Sequence, residues 1–132
     1  MADKLAFELV SPERLLLSSQ ADMVTVPGSE GEMGVLAGHA PVLSTLRSGV
    51  ISVQDDGRVT RRFFVRGGFV EVTQAGLTIL SEEAVDLAEI SRDQLLQDIR
   101  DAEEDITHAR EEQTRLAAAE RVNYLRAIEA AL

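Results

Sequence analysis

A chain of 132 residues with 13 basic and 23 acidic side chains, formal net charge −10, lacks the basic footprint that binds nucleic-acid phosphates. The same charge disfavours an anionic membrane surface, and the absence of cysteine excludes disulfides and thiolate chemistry and allows a reducing compartment. Its 45% hydrophobic and 27% charged composition is that of one folded domain, or a small domain with an appendage.

No apolar run approaches the roughly 20 residues of a membrane span. The opening MADKLAFELVSPE has neither a signal-peptide core nor the Arg/Ser-rich character of a transit peptide. The expectation is a soluble chain that reaches a membrane only through partners.

From Lys4 to Leu80 the sequence reads as short strands. Leu5, Phe7 and Leu9 alternate with Lys4, Ala6 and Glu8, the period of two of a half-buried strand. Ser11-Pro12 breaks this run, and Arg14–Leu17 and Met23–Val26 supply two more. Beyond them, Pro27 to Gly49 holds glycines at 28, 31, 34 and 38 with interspersed Met, Val and Leu, which predicts a bent, shaped, loop-like surface rather than a flexible linker. Val50–Val53 leads into Asp55-Asp56-Gly57, a hairpin signal, and Arg61–Arg66 returns. Gly67-Gly68 predicts a bend before Phe69–Val72, and Gln74-Ala75-Gly76 a turn before Leu77–Leu80. Short strands at such spacing indicate an antiparallel sandwich or barrel, ending near Glu83.

Composition then changes. Between Glu89 and Leu132 there is no glycine or proline, and Ala, Leu, Glu and Arg dominate. Ser91-Arg92-Asp93-Gln94 matches the S-x-x-Q capping box and predicts a helix start. Two apolar stripes follow: Leu95, Ile99, Ala102, Ile106 and Ala109, then Ala118, Val122, Leu125, Ile128 and Leu132. From Ala109 to Ala118 an unbroken helix turns by roughly 180°, which would place the stripes on opposite sides. A break near Arg110–Thr114 lets them face each other, which predicts an αα-hairpin. Residues 91–112 carry 3 basic and 8 acidic side chains, and residues 113–132 carry Arg115, Arg121 and Arg126 against Glu120 and Glu129. Two solvated faces account for this pattern as readily as a binding role for the arginines.

Chemistry is largely absent. A phosphate-binding loop needs Lys and Ser/Thr after its glycines, and Glu30 and Glu32 stand there instead. His39 and His108 fall in different regions, so neither predicts a metal site, and His39 reads as a hydrogen-bonded surface residue. Asp55-Asp56 is turn chemistry rather than a calcium loop. No catalytic constellation is visible, and no cofactor is expected. The residues alone describe an acidic interaction protein: a β module with an irregular loop, followed by a helical hairpin.

VPGSEGEMGVLAGHAPVLSTLRSGVI (26–51), VRGGFVEV (65–72) and LTILSEEA (77–84) resemble the epsilon subunits of F-type ATP synthases, with matching order and spacing across essentially the whole chain. The resemblance implies an α+β fold: an N-terminal antiparallel β-sandwich of about ten short strands over 1–88 and a C-terminal two-helix hairpin over 89–132. It implies a non-catalytic rotor subunit of the central stalk, bound to the gamma subunit and to the ring of c subunits, on the cytoplasmic face of a bacterial inner membrane. The start at Met1 without a transit peptide favours the bacterial form over the mitochondrial delta counterpart. By that analogy Glu30, Gly31, Glu32, Met33, Gly34, His39 and Pro41 belong to a loop docking gamma and the c ring. The hairpin resembles a regulatory element that can extend toward the beta and alpha subunits and hinder ATP hydrolysis, with Arg115, Arg121 and Arg126 as candidate contacts. Family members that bind ATP carry Ile/Leu-Asp-x-x-Arg-Ala at the first helix. Here Ser91 and Gln94 replace the acid and the arginine, so no nucleotide site is expected. A free-standing sandwich binding sugar or peptide is the competing reading, weakened by 4% aromatic content and no tryptophan.

Overall fold

Leu5, Phe7 and Leu9 point inward from β1 (Leu5–Val10) and are at most 3% exposed, as their alternation with polar and small residues requires. The computed structural model describes residues 3–132. Seven further strands follow: β2 (Leu15–Ala21), β3 (Met23–Gly28), β4 (Gly31–Val35), β5 (Val42–Leu46), β6 (Gly49–Asp55), β7 (Arg58–Thr73) and β8 (Gly76–Asp86). A short 3₁₀ turn over Leu87–Glu89 precedes the helices α1 (Arg92–His108) and α2 (Glu112–Ala131).

The strands run in the order β2-β1-β8-β7-β5-β3-β4, with β6 bonded to β3 and β7. The pairs are antiparallel except β1 with β8, where Phe7 lies opposite Leu77. Strand β7 explains the closure. Its first half pairs with β6, its second half with β5, and both of those strands pair with β3. The network therefore folds over itself and encloses one apolar core, in which Phe7, Leu9, Val24, Val26, Val35, Ile51, Val65, Val70 and Ile79 are fully buried. Burial of such side chains contributes about 1.5–3 kcal/mol each.

Among the described residues the sandwich has eight strands rather than about ten. Part of the reason lies at Gly67 and Gly68, where the sequence predicts a bend between two strands. Both residues take positive φ, +61° and +123°, yet the pairing with β8 keeps its register from Arg66 opposite Glu83 to Gly68 opposite Ser81. One strand of 16 residues results. A second correction concerns the interval from Pro27 to Gly49. It is mostly sheet, not loop: Gly31–Val35 forms β4 and Val42–Leu46 forms β5.

The chain divides into two compact units, one ending at Ala88 and the other comprising Glu89–Leu132. In the second unit Ser91 caps α1, its Oγ accepting a hydrogen bond from Gln94 N at 3.3 Å. Leu95, Ile99 and Ala102 are buried on α1, and Val122, Tyr124, Leu125 and Ile128 on α2. The helices are separated by a break over residues 109–111. Ala109, expected on the first stripe, is instead the C-cap with ψ 132°, and Glu111 has ψ 148°. Both are extended conformations open to any L-residue, so the hairpin turns without glycine or proline.

Candidate docking face

The residues expected to form one docking loop are divided between two kinds of backbone. Glu30 sits in the β3–β4 turn, Gly31 closes the hairpin opposite Gly28 at φ +128°, and Glu32, Met33 and Gly34 lie on β4 opposite Pro27, Val26 and Thr25. Gly34 leaves room for the Met23 thioether, because a Cβ there would lie 3.3 Å from its sulfur. Only Leu36–Pro41 is loop. Within it His39 N donates to the Leu36 carbonyl at 3.1 Å, and His39 Nδ1 lies 2.7 Å from the Ala40 carbonyl oxygen. A carbonyl only accepts, so Nδ1 carries the proton and a neutral His39 presents Nε2 as an acceptor. Glu30 and Glu32 are exposed, and neither carboxylate has an ion-pair partner among the described residues.

A larger feature lies on the outer face of the sandwich. Thr45 of β5 is opposite Phe69 of β7, Phe69 opposite Leu80 of β8, Leu80 opposite Val10 of β1, and Val10 opposite Leu15 of β2. These residues form one row across five strands. Phe69 is 53% exposed, Leu80 41% and Leu15 54%, and Leu43, two residues along β5, is 69% exposed. In the strand FVEV, Val70 and Val72 alternate with Phe69 and Glu71, and because one face pairs an aromatic with an acid the pattern leaves open whether Phe69 meets solvent. Burial decides it: Val70 and Val72 are inside, Phe69 and Glu71 outside.

The backbone beneath this row is held tightly. Ser81, fully buried, donates from Oγ to the Glu83 carbonyl and accepts from Arg66 N at 3.3 Å, joining β7 to β8. Elsewhere in the unit Lys4 Nζ bridges Asp22 at 2.7 Å and Asp55 at 3.1 Å, and Asp22 Oδ2 accepts from Asp56 N at 2.7 Å. Lys4 holds the Asp22 carboxyl below its ordinary range, chiefly by hydrogen bonding and with help from the Asp56 N–H. The two carboxylates in turn raise the Lys4 ammonium well above the usual lysine range. Arg61 pairs with Asp86 at 2.8 Å; burial pushes that carboxyl up, and the hydrogen bonds and charge it receives outweigh burial, leaving it lowered.

On the hairpin the three singled-out arginines are each engaged. Arg115 forms a two-point contact with Glu112, and Arg126 reaches across from α2 to Glu103 of α1 at 3.0 Å. The Arg121 guanidinium lies over the Tyr124 ring, 5.8 Å from its centre. Among the described residues no cluster of His, Cys, Asp or Glu is placed to hold a metal ion, and no helix is long and apolar enough to cross a membrane.

Residues 4–87 match the family model described as ATP synthase, Delta/Epsilon chain, beta-sandwich domain. The chain is 53% identical over 126 residues to the ATP synthase epsilon chain of Parvibaculum lavamentivorans, covering 96% of both. It is also 53% identical over 130 residues to that of Maricaulis maris, covering 98% of this chain and 97% of the relative. A chain in the cryo-EM structure of the Euglena gracilis mitochondrial ATP synthase (OSCP/F1/c-ring) superposes with a TM-score of 0.76 at 27% identity, covering 97% of this chain and 81% of that one. A chain of the Tetrahymena thermophila mitochondrial ATP synthase shares the fold, with a TM-score of 0.60 at 19% identity, covering 98% of this chain and 97% of that one.

Proposed function

The chain belongs to the ATP synthase delta/epsilon family, and from that premise we propose that it is a non-catalytic rotor subunit joining the gamma subunit of the central stalk to the c ring. The apolar row through Phe69, Leu80 and Leu15 carries this reading. A rotor joint must transmit torque without shearing, and a rigid sheet with an exposed apolar row gives a partner a broad, dry contact. The row is assigned to gamma. The β3–β4 turn with Glu30, strand β4 with Glu32, and the Leu36–Pro41 loop with His39 and Pro41 are assigned to the junction with the c ring and gamma, where unpaired carboxylates and an imidazole acceptor suit polar contacts. As part of that complex the chain lies peripherally on the cytoplasmic face of a bacterial inner membrane.

The hairpin is assigned a regulatory part. When extended toward the beta and alpha subunits it hinders ATP hydrolysis through Arg115, Arg121 and Arg126. The exposed ion pairs that occupy Arg115 and Arg126 are weak, so competition from a partner's carboxylates is cheap.

Phe69→Asp tests the central assignment. The variant is expected to fold with an unchanged β-sheet spectrum and to fail to co-purify with gamma. Co-purification at the level of the unaltered chain would overturn the assignment.

A further inference from the structure

We infer that the partner surface covering the apolar row carries two cationic side chains, about 10 Å apart, that meet Glu8 and Glu71. This rests on the assignment of the row as the gamma contact and adds the chemistry that gamma must present. Beside the row lies a second one on the same face. Leu43 of β5 is opposite Glu71 of β7, Glu71 opposite Thr78 of β8, Thr78 opposite Glu8 of β1, and Glu8 opposite Ser18 of β2. Two residues along β5, β7, β8 and β1 separate the rows, about 7 Å, and on β2 a register shift makes the step three residues, from Leu15 to Ser18. The acids stand on β7 and β1 with only β8 between them, which sets their spacing at two strand separations.

Both carboxylates are exposed, and neither has a hydrogen-bond or ion-pair partner among the described residues. Three sandwich cations are engaged elsewhere: Lys4 with Asp22 and Asp55, Arg61 with Asp86, Arg66 with Glu83. In the free chain, water solvates Glu8 and Glu71. A body seated on the row displaces that water and lowers the local dielectric, so unmatched carboxylates there oppose docking. A surface with an apolar ridge flanked by two Lys or Arg side chains removes the penalty and adds attraction. The same charges disfavour a second copy of this chain on the face, because facing copies would set acids near acids.

Binding of the full chain to purified gamma, measured at about 50 mM and about 300 mM salt, tests the inference. The double variant Glu8→Gln/Glu71→Gln is expected to bind about tenfold more weakly at low salt and to lose most of the salt dependence. Glu8→Lys/Glu71→Lys is expected to bind at least a hundredfold more weakly. Phe69→Asp separates the docking face from the charges beside it. If Phe69→Asp abolishes binding while the acid variants keep the affinity and salt slope of the unaltered chain, the cationic pair is wrong and the docking face stands. If Phe69→Asp binds normally, the docking face itself is wrong. Sedimentation showing that the free chain dimerises through the row, with gamma affinity untouched by either acid variant, would assign the face to a second copy and overturn the inference.

Discussion

A Cβ on Gly68 of β7 would lie 1.9 Å from the carbonyl oxygen of Leu80 on β8. This position lies immediately beside Phe69 and Leu80, so a side chain there would disturb the backbone that carries the apolar row. Gly68 also holds φ +123°, a conformation that L-residues rarely adopt.

Gly68→Ala is therefore expected to destabilise the sandwich by about 3 kcal/mol, since the obstacle is backbone and the φ is strained. Gly38→Ala is the control. Gly38 has φ +83° with nothing within 4 Å of its would-be Cβ, so only the conformational cost applies, about 1 kcal/mol. Urea denaturation of both variants checks the difference, and equal losses would remove the steric explanation.

Ser81→Ala removes the buried polar side chain that joins β7 to β8. It leaves the half-buried Arg66 N–H without this acceptor, and the expected loss is about 1–3 kcal/mol by the same denaturation measurement. Ser81→Thr, which keeps the hydroxyl, tests whether the hydrogen bond or the volume matters: recovery of most of the loss points to the bond.

How much of the structure is legible in the sequence depends on what each pattern encodes. Alternation in LAFELV and in the strands to Leu80 specifies a sandwich, and the Ser91 cap and the two stripes specify the hairpin, because period and capping are local properties. The Pro27–Gly49 interval misleads because its glycines read as bends. Gly34 lies instead within a strand, where it makes room for Met23, a neighbour that only the folded pairing supplies. The row through Phe69 is hidden for the related reason that register across five strands is non-local. Tyr124, absent from both stripes, is buried all the same.

Lys4 and Asp22 make stability depend on pH at both extremes. The folded pKa of Asp22 is lowered, so its contribution is present above the unfolded value near 3.9 and is lost as pH falls through the folded value. The folded pKa of Lys4 is raised, so its contribution is present below the unfolded value near 10.4 and is lost as pH rises through the folded one. Lys4→Met is expected to cost a constant amount between about pH 5 and pH 9, with the gap to the unaltered chain closing in acid and in strong alkali. Denaturation extended below about pH 4 and above about pH 11 checks it, and a gap that does not change even there would assign the loss to packing alone.

Ser91 already uses its hydroxyl as the α1 cap, while the Gln94 side chain bonds Asp98 at 2.8 Å instead of closing the capping box. Ser91→Ala is expected to lower hairpin stability by about 1 kcal/mol, and Ser91→Asp, an equally good cap, to keep it. Thermal loss of helix ellipticity checks the order. With no carboxylate at 91 and no guanidinium at 94, ATP titrated into the chain by calorimetry is expected to give no saturable heat at micromolar concentrations.

The Glu103–Arg126 ion pair crosses from α1 to α2, and at 48% and 52% side-chain exposure it is screened by solvent. Breaking it should cost the hairpin less than about 1 kcal/mol, so a functional change in an Arg126 variant cannot be ascribed to unfolding. If the second helix hinders hydrolysis by offering its arginines to acidic groups on the catalytic subunits, Arg115→Ala/Arg121→Ala/Arg126→Ala should raise ATP hydrolysis in the assembled complex. Glu103→Gln alone should lower it, since it frees Arg126 from its α1 partner and leaves only the 4.0 Å approach to Glu129. The opposed signs distinguish an electrostatic contact from loosening of the hairpin, which would move both variants in the same direction. Hydrolysis rates of complexes carrying the unaltered chain and each variant check this, and equal rates in all three would remove the arginines from regulation.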